Sequence, residues 1–137
     1  MTRSMVTRRA LLAMAAVTAF LPGRPGLAAD RLGRSQSVLS RADRLTAIFG
    51  RKRSARVVGR AYLRQAPEEA DPEFLIAAIH GTDEDLGRLV VDGEEIGLKT
   101  ALRHRIRRDF ADGRTVRVDG WVLSRTEARL CALAELV

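Results

Sequence analysis

His80, His104, Cys131, Ser124 and the carboxylates between Asp83 and Glu95 are the side chains here with the means to do chemistry. Neither histidine belongs to a His-x3-His or His-Glu-x2-His arrangement, the spacing a helical zinc site needs, so no metal site is expected. His80 closes an apolar segment beside Gly81, where a donor or cation suits a helix C-terminus. His104 sits inside a run of arginines. Ser124 is not in a Gly-x-Ser-x-Gly elbow, and a helix cap explains it. Asp83, Glu84, Asp85, Asp92, Glu94 and Glu95 lack the ordered ligand spacing of a calcium loop and read as a solvated acidic segment. Neither phosphate-loop nor dinucleotide glycine spacing occurs, so no cofactor of the chain's own is expected.

Cys131 is the sole cysteine. It cannot form an internal disulfide, hold a structural zinc alone, or attach a c-type haem. It stands in "ARLCALAEL", an apolar helical stripe, and reads as a small core side chain. No reaction is legible, and a non-catalytic role is the better expectation.

The first residues point to a route rather than a reaction. Residues 1–9 carry Arg3, Arg8 and Arg9 without an acid, and Ala10 to Leu21 are apolar or small. A break at Pro22 and the small-x-small "Gly26-Leu27-Ala28" complete a secretory signal over residues 1–28, cleaved after Ala28 or, second, after Ala29. The apolar run is too short to span a bilayer, which needs about 20 residues. "TRRALLA" resembles the twin-arginine export signal through Thr7, Arg8, Arg9 and Leu12, and Arg24 before the exit is typical of that route. The twin-arginine machinery is therefore an expected partner and the periplasm the expected destination. That route carries folded proteins, sometimes as complexes with a passenger.

The chain has 24 basic and 17 acidic residues, a net charge of +7. Four of the basic residues lie in the leader, and without them the excess falls to about +3. No nucleic-acid partner is expected, and membrane contact is at most peripheral. One small domain fits residues 38–137, after a polar, flexible lead-in over 29–37.

The elements follow from periodicity and punctuation. Val38, Ala42, Leu45 and Phe49 mark a first helix with Ser37 as its cap and Gly50 as its stop. "SARVVGRAYLRQAP" gives a second, capped by Ser54, with Val57, Val58, Ala61 and Tyr62 inward. "DPEFLIAAIHG" opens with Asp before Pro, the favoured order, and turns Phe74, Leu75, Ala78 and Ile79 inward. Residues 82–97 read as a short helical turn or bent loop. Leu98, Ala101, Leu102, Ile106 and Phe110 form the stripe of the next helix. "GRTVRVDGWVLS" alternates like a strand pair, with Asp119-Gly120 as a two-residue turn. Ser124 and Glu127 form a capping box for a last helix. The expected fold is mainly α, a bundle of about five helices with at most one short hairpin.

Charge is segregated along this plan. Basic residues dominate from Arg41 to Arg64 and from Lys99 to Arg117, and acids dominate from Glu68 to Glu95. The first reading is internal neutralisation, with the acidic segment pairing to both basic helices. The second is a basic face left for a partner, around Arg103, Arg107 and Arg108. Trp121, the only tryptophan, reads first as cover for the core edge and second as an anchor for a contact.

The leader followed by "VGRAYL", "DF", "GR" and "VDGWVLSRTEARLCALA" resembles small bacterial proteins exported by the twin-arginine route. The likeness runs over residues 45–137 and is densest at 109–134. More distantly, the layout is similar to the small subunit of membrane-associated sugar-acid and sugar-alcohol dehydrogenases, the gluconate dehydrogenase subunit 3 type. The resemblance implies an accessory subunit beside a flavoprotein and a cytochrome, and it transfers no catalytic or cofactor residue. The alternative is a free-standing periplasmic binding or regulatory domain.

Overall fold

A computed structural model describes residues 25–137, with side chains from Asp30 onward. Most of the expected leader, with Arg8 and Arg9, lies outside the described residues. In chain order the elements are α1 (Pro25–Thr46), α2 (Lys52–Gln65), α3 (Pro72–His80), α4 (Glu84–Asp92), α5 (Glu95–Ala111), β1 (Thr115–Val118), β2 (Trp121–Ser124) and α6 (Arg125–Leu136). A single 3-10 turn, Pro67–Glu69, joins α2 to α3. The expected class, mainly helical with one short hairpin, is the one observed.

Local chemistry sets several boundaries as read from the sequence. The Asp71 carboxylate accepts the Phe74 N–H at 2.7 Å, Pro72 occupies the first turn of α3, and Gly81 ends it at φ 57°. That angle lies in the left-handed region open to glycine. Ser124 Oγ accepts the Glu127 N–H at 3.0 Å, while Glu127 Oε2 accepts the Ser124 N–H at 2.9 Å, a complete capping box for α6. Asp119 and Gly120 turn the hairpin with φ of 45° and 86°. Two successive positive angles match the twist of a tight antiparallel pair. The register sets Val118 opposite Trp121 and Thr115 opposite Ser124.

Elsewhere the boundaries move. The lead-in over 29–37 is helical, because α1 already starts at Pro25, and its side chains from Asp30 to Ser37 are all exposed. Ser37 does not cap α1. Its hydroxyl donates to the Arg34 carbonyl at 2.8 Å, a bond formed inside a helix rather than at its start. Ser54 likewise lies within α2, whose N-cap is Arg51, without a side-chain bond. Within residues 82–97, α4 is a nine-residue helix, capped where the Asp83 carboxylate accepts the Leu86 N–H at 3.0 Å.

The core gathers around α6. Thr126, Ala128, Leu130, Cys131, Ala132, Leu133 and Ala134 are buried, so this helix is covered nearly all round. It touches α1, α2, α3, α5 and both strands. Full burial of a leucine such as Leu130 or Leu133 stabilises the fold by about 1.5–3 kcal/mol. The closest approach is to α2. A Cβ on Gly59 would stand 2.0 Å from the Cys131 carbonyl oxygen, so glycine alone permits this crossing.

The stripes facing this core are not always those with the largest side chains. Val57, Phe74 and Phe110, expected inward, are exposed. On α2 the inward face is Ala55, Gly59 and Tyr62, which lets the backbone approach α6. On α3 it is Leu75, Ile76 and Ile79. On α5, Leu98, Leu102 and Asp109 hold the buried positions. A helix advances about 100° per residue, so burying Asp109 turns its neighbour Phe110 outward.

Candidate functional site

The hairpin ends in an exposed aromatic. Trp121 is 74% exposed and Val122 51% exposed, so the expectation that Trp121 covers the core edge is corrected. Burial in β2 increases only toward its end, reaching zero exposure at Ser124, where the strand enters α6. Val118, its partner across the ladder, supplies the buried side chain at this level instead. The turn is tied to α2 by Arg64 and Asp119, 3.7 Å apart.

β2 packs against α5, so the strand bearing Trp121 and the helix bearing Arg103, Arg107 and Arg108 are neighbours. All three arginines are exposed. Arg108 pairs with Asp83 at 3.3 Å, and no ion pair is formed by Arg103 or Arg107 among the described residues.

The base of the hairpin is held by a buried carboxylate that sequence reasoning missed. Asp109, 2% exposed, accepts from the Thr126 hydroxyl at 2.6 Å, the Thr126 N–H at 2.8 Å and Arg114 Nε at 2.9 Å. Burial pushes its pKa up, but these donors together outweigh burial and hold it below the usual carboxylate range. A second network was also missed. Glu69 receives Arg129 through two nitrogens, at 2.9 and 2.7 Å, and the Tyr62 hydroxyl at 2.8 Å. The Arg129 bonds dominate and keep Glu69 ionised below its ordinary range, against burial. Its partners stand seven and 60 residues away, which leaves no local pattern to find.

The arginines are used in a way charge counting does not foresee. Arg44 donates to the Leu89, Val91 and Gly93 carbonyls at the end of α4. Arg105 donates to the His80 carbonyl at the end of α3, at 3.1 Å. Arg56 donates to the Ala134 and Val137 carbonyls at the end of α6, at 2.9 and 3.1 Å. Each guanidinium serves carbonyls at the negative end of a helix dipole, and the Leu89 and His80 carbonyls also accept the Gly93 and Asp83 N–H groups. Among the described residues, the ion pairs of Lys52, Arg60 and Arg64 go to Asp43, Glu135 and Asp119, outside the acidic segment. Neutralisation of that segment by both basic helices is therefore not what is observed. Its link to the second basic segment is Arg108 with Asp83 and Lys99 with Glu95.

Two concavities flank these features. An open groove of about 480 Å³ lies between α1 and the start of α3, lined by Arg31, Val38, Leu39 and Pro72 among others. A polar cleft of about 310 Å³ is lined by Thr82, Asp83, Arg105, Arg108 and Arg114. His80 Nδ1 stands 3.0 Å from its neighbour's carbonyl, and His104 is exposed. Among the described residues no three of His, Cys, Asp and Glu converge as metal ligands would. No described helix is long and apolar enough to cross a membrane. Cys131 is buried, and burial, aided by the Glu127 charge, pushes its thiol up to about 12.

The chain matches no known protein family, no curated protein and no solved structure.

Proposed function

We propose that this is an exported accessory subunit that docks, through the hairpin bearing Trp121 and the adjacent arginine face of α5, on a larger cofactor-bearing oxidoreductase subunit in the periplasm. The observation that carries this reading is the exposure of Trp121 beside Val122 on a hairpin whose base is locked by Asp109. Tryptophan and arginine dominate the energetics of protein interfaces, and a pre-ordered anchor loses little entropy on docking. Arg103 and Arg107 are exposed on α5, the helix against which β2 packs. The oxidoreductase partner rests on the resemblance in the leader and in the layout of residues 45–137, and export rests on Arg8 and Arg9.

Native purification from the host tests the reading. The protein is expected to elute far above the 15.1 kDa of the full chain with a coloured companion, and Trp121→Ala is expected to release it. Elution alone and colourless, at monomer or homodimer size, would remove the accessory role. A second reading, a free-standing binding domain, is favoured by the arginine-lined cleft beside α5.

A further inference from the structure

The cleft of Thr82, Asp83, Arg105, Arg108 and Arg114 carries an inference independent of the docking reading. We propose that it binds a small dianion, a phosphate or a dicarboxylate, through the guanidinium groups of Arg105, Arg108 and Arg114 with the Thr82 hydroxyl. Three guanidiniums and one carboxylate line about 310 Å³, enough for a ligand of a few heavy atoms, and Arg105 is the one of the three that forms no ion pair among the described residues. Asp83 does not compete for the cleft's donors beyond its pair with Arg108. Its other oxygen already accepts the Leu86 N–H.

The guanidiniums are placed from different directions and are only partly satisfied. Arg105 is fixed by the His80 carbonyl, and its Nε is the one buried side-chain polar atom without a hydrogen-bond partner among the described residues. Arg108 is half exposed and holds Asp83 at 3.3 Å, a long bond for a charged pair. Arg114 is oriented by Asp109 and Asp112 at 2.9 and 2.8 Å and remains half exposed. A guanidinium carries five N–H donors in a fixed fork, the geometry that grips carboxylate and phosphate oxygens in pairs. Here the forks are pre-oriented by protein acceptors and most of their donors are unused. Gly81, next to Thr82, leaves room for the Arg105 guanidinium. A side chain there would meet the Arg105 guanidinium, since a Cβ would lie 3.1 Å from Nη2.

The test is titration of the purified protein with inorganic phosphate and, separately, with succinate, at neutral pH and constant ionic strength. Backbone amides and arginine Nε–H signals are followed by NMR. Saturable shifts are expected at Thr82, Asp83 and the three arginines. Saturation by phosphate alone identifies a tetrahedral ligand, and saturation by succinate alone a carboxylate. Arg108→Gln is expected to weaken binding about tenfold, the loss of one charge-assisted fork. Arg107→Gln, outside the cleft, is expected to leave it unchanged. Arg108→Gln is preferred to a change at Arg114, which also holds the buried Asp109. Shifts that rise linearly with both anions, or that weaken equally in both variants, would overturn the proposal.

Discussion

Asp109 Oδ2 accepts two hydrogen bonds from Thr126, from the hydroxyl at 2.6 Å and from the backbone N–H at 2.8 Å. One carboxylate oxygen thus joins the last turn of α5 to the first turn of α6, across the hairpin between them. Asp109→Ala leaves two buried donors unsatisfied and Arg114 without its inner partner. The expected loss is about 3 kcal/mol, measured by urea unfolding. A loss below about 0.5 kcal/mol, the level of an ordinary surface change, would show that the joint is held by something else.

The same carboxylate makes an acid-sensitive fold. Asp109 and Glu69 both sit below their ordinary range in the folded protein. Their contribution is complete above that range, where the unfolded chain is also ionised. It is lost as pH falls through the lower folded values, because the unfolded state then takes up protons first. Urea midpoints should therefore fall on acidification below about pH 4. Asp109→Asn should lower the midpoint at neutral pH and flatten this dependence. An unchanged acid profile in that variant would assign the sensitivity elsewhere.

Gly59→Ala is expected to be among the most damaging single changes. The new methyl would overlap the Cys131 carbonyl, a backbone atom that cannot rotate away. Separating α2 from α6 costs about 3 kcal/mol or more, by analogy with overpacked cores. Thermal melting of the variant checks this. An unchanged melting temperature would mean that the helices do not cross at Gly59.

Cys131 should be slow to react. Its thiol is pushed up to about 12, so the reactive thiolate is scarce at neutral pH. Modification by a maleimide should follow global unfolding and run at the free-thiol rate only in denaturant. Stability should fall as pH rises above about 8.5, where the unfolded thiol ionises, and go on falling until the folded thiol does the same. Rapid labelling of the native protein would place Cys131 at the surface.

Trp121 provides its own reporter, being the only tryptophan. In the isolated protein its emission should resemble that of tryptophan in water and be quenched readily by acrylamide. Trp121→Ala should change unfolding stability by less than about 0.5 kcal/mol, as surface substitutions do. Blue-shifted, protected emission from the isolated monomer would return this residue to the core.

Export can be separated from all of this. With Arg8 and Arg9 both changed to Lys, the precursor is expected to accumulate uncleaved in the cytoplasm. Normal processing of that variant would make the arginine pair incidental.

What could be read beforehand was local. The Asp71–Pro72 start, the Gly81 stop, the Asp119–Gly120 turn and the Ser124–Glu127 box each depend on residues within four positions. Their geometry is therefore written in neighbouring letters. The rotation of each helix was not legible, because it depends on which face a distant element covers. Val57 and Phe110 are apolar enough to be buried, but α2 turns Gly59 toward Cys131 and α5 turns Asp109 toward Thr126 instead. The Arg44, Arg56 and Arg105 contacts span 47, 78 and 25 residues, beyond the reach of spacing rules. For the same reason the first reading of Trp121, as cover for the core edge, fails, and the residue is exposed as its second reading requires. Its alternation fits a strand, but the strand's inward demand ends at Leu123 and Ser124.

Those three arginines also decide how the molecule comes apart. Each fastens the end of one helix to a side chain from another, so fraying of α3, α4 or α6 at its C-terminus also breaks a contact with α5, α1 or α2. Opening of these ends is thereby made costlier. Their amides should exchange more slowly than those of an untied helix end. Residues 30–37 of α1, which no such tie reaches, should exchange early and on their own.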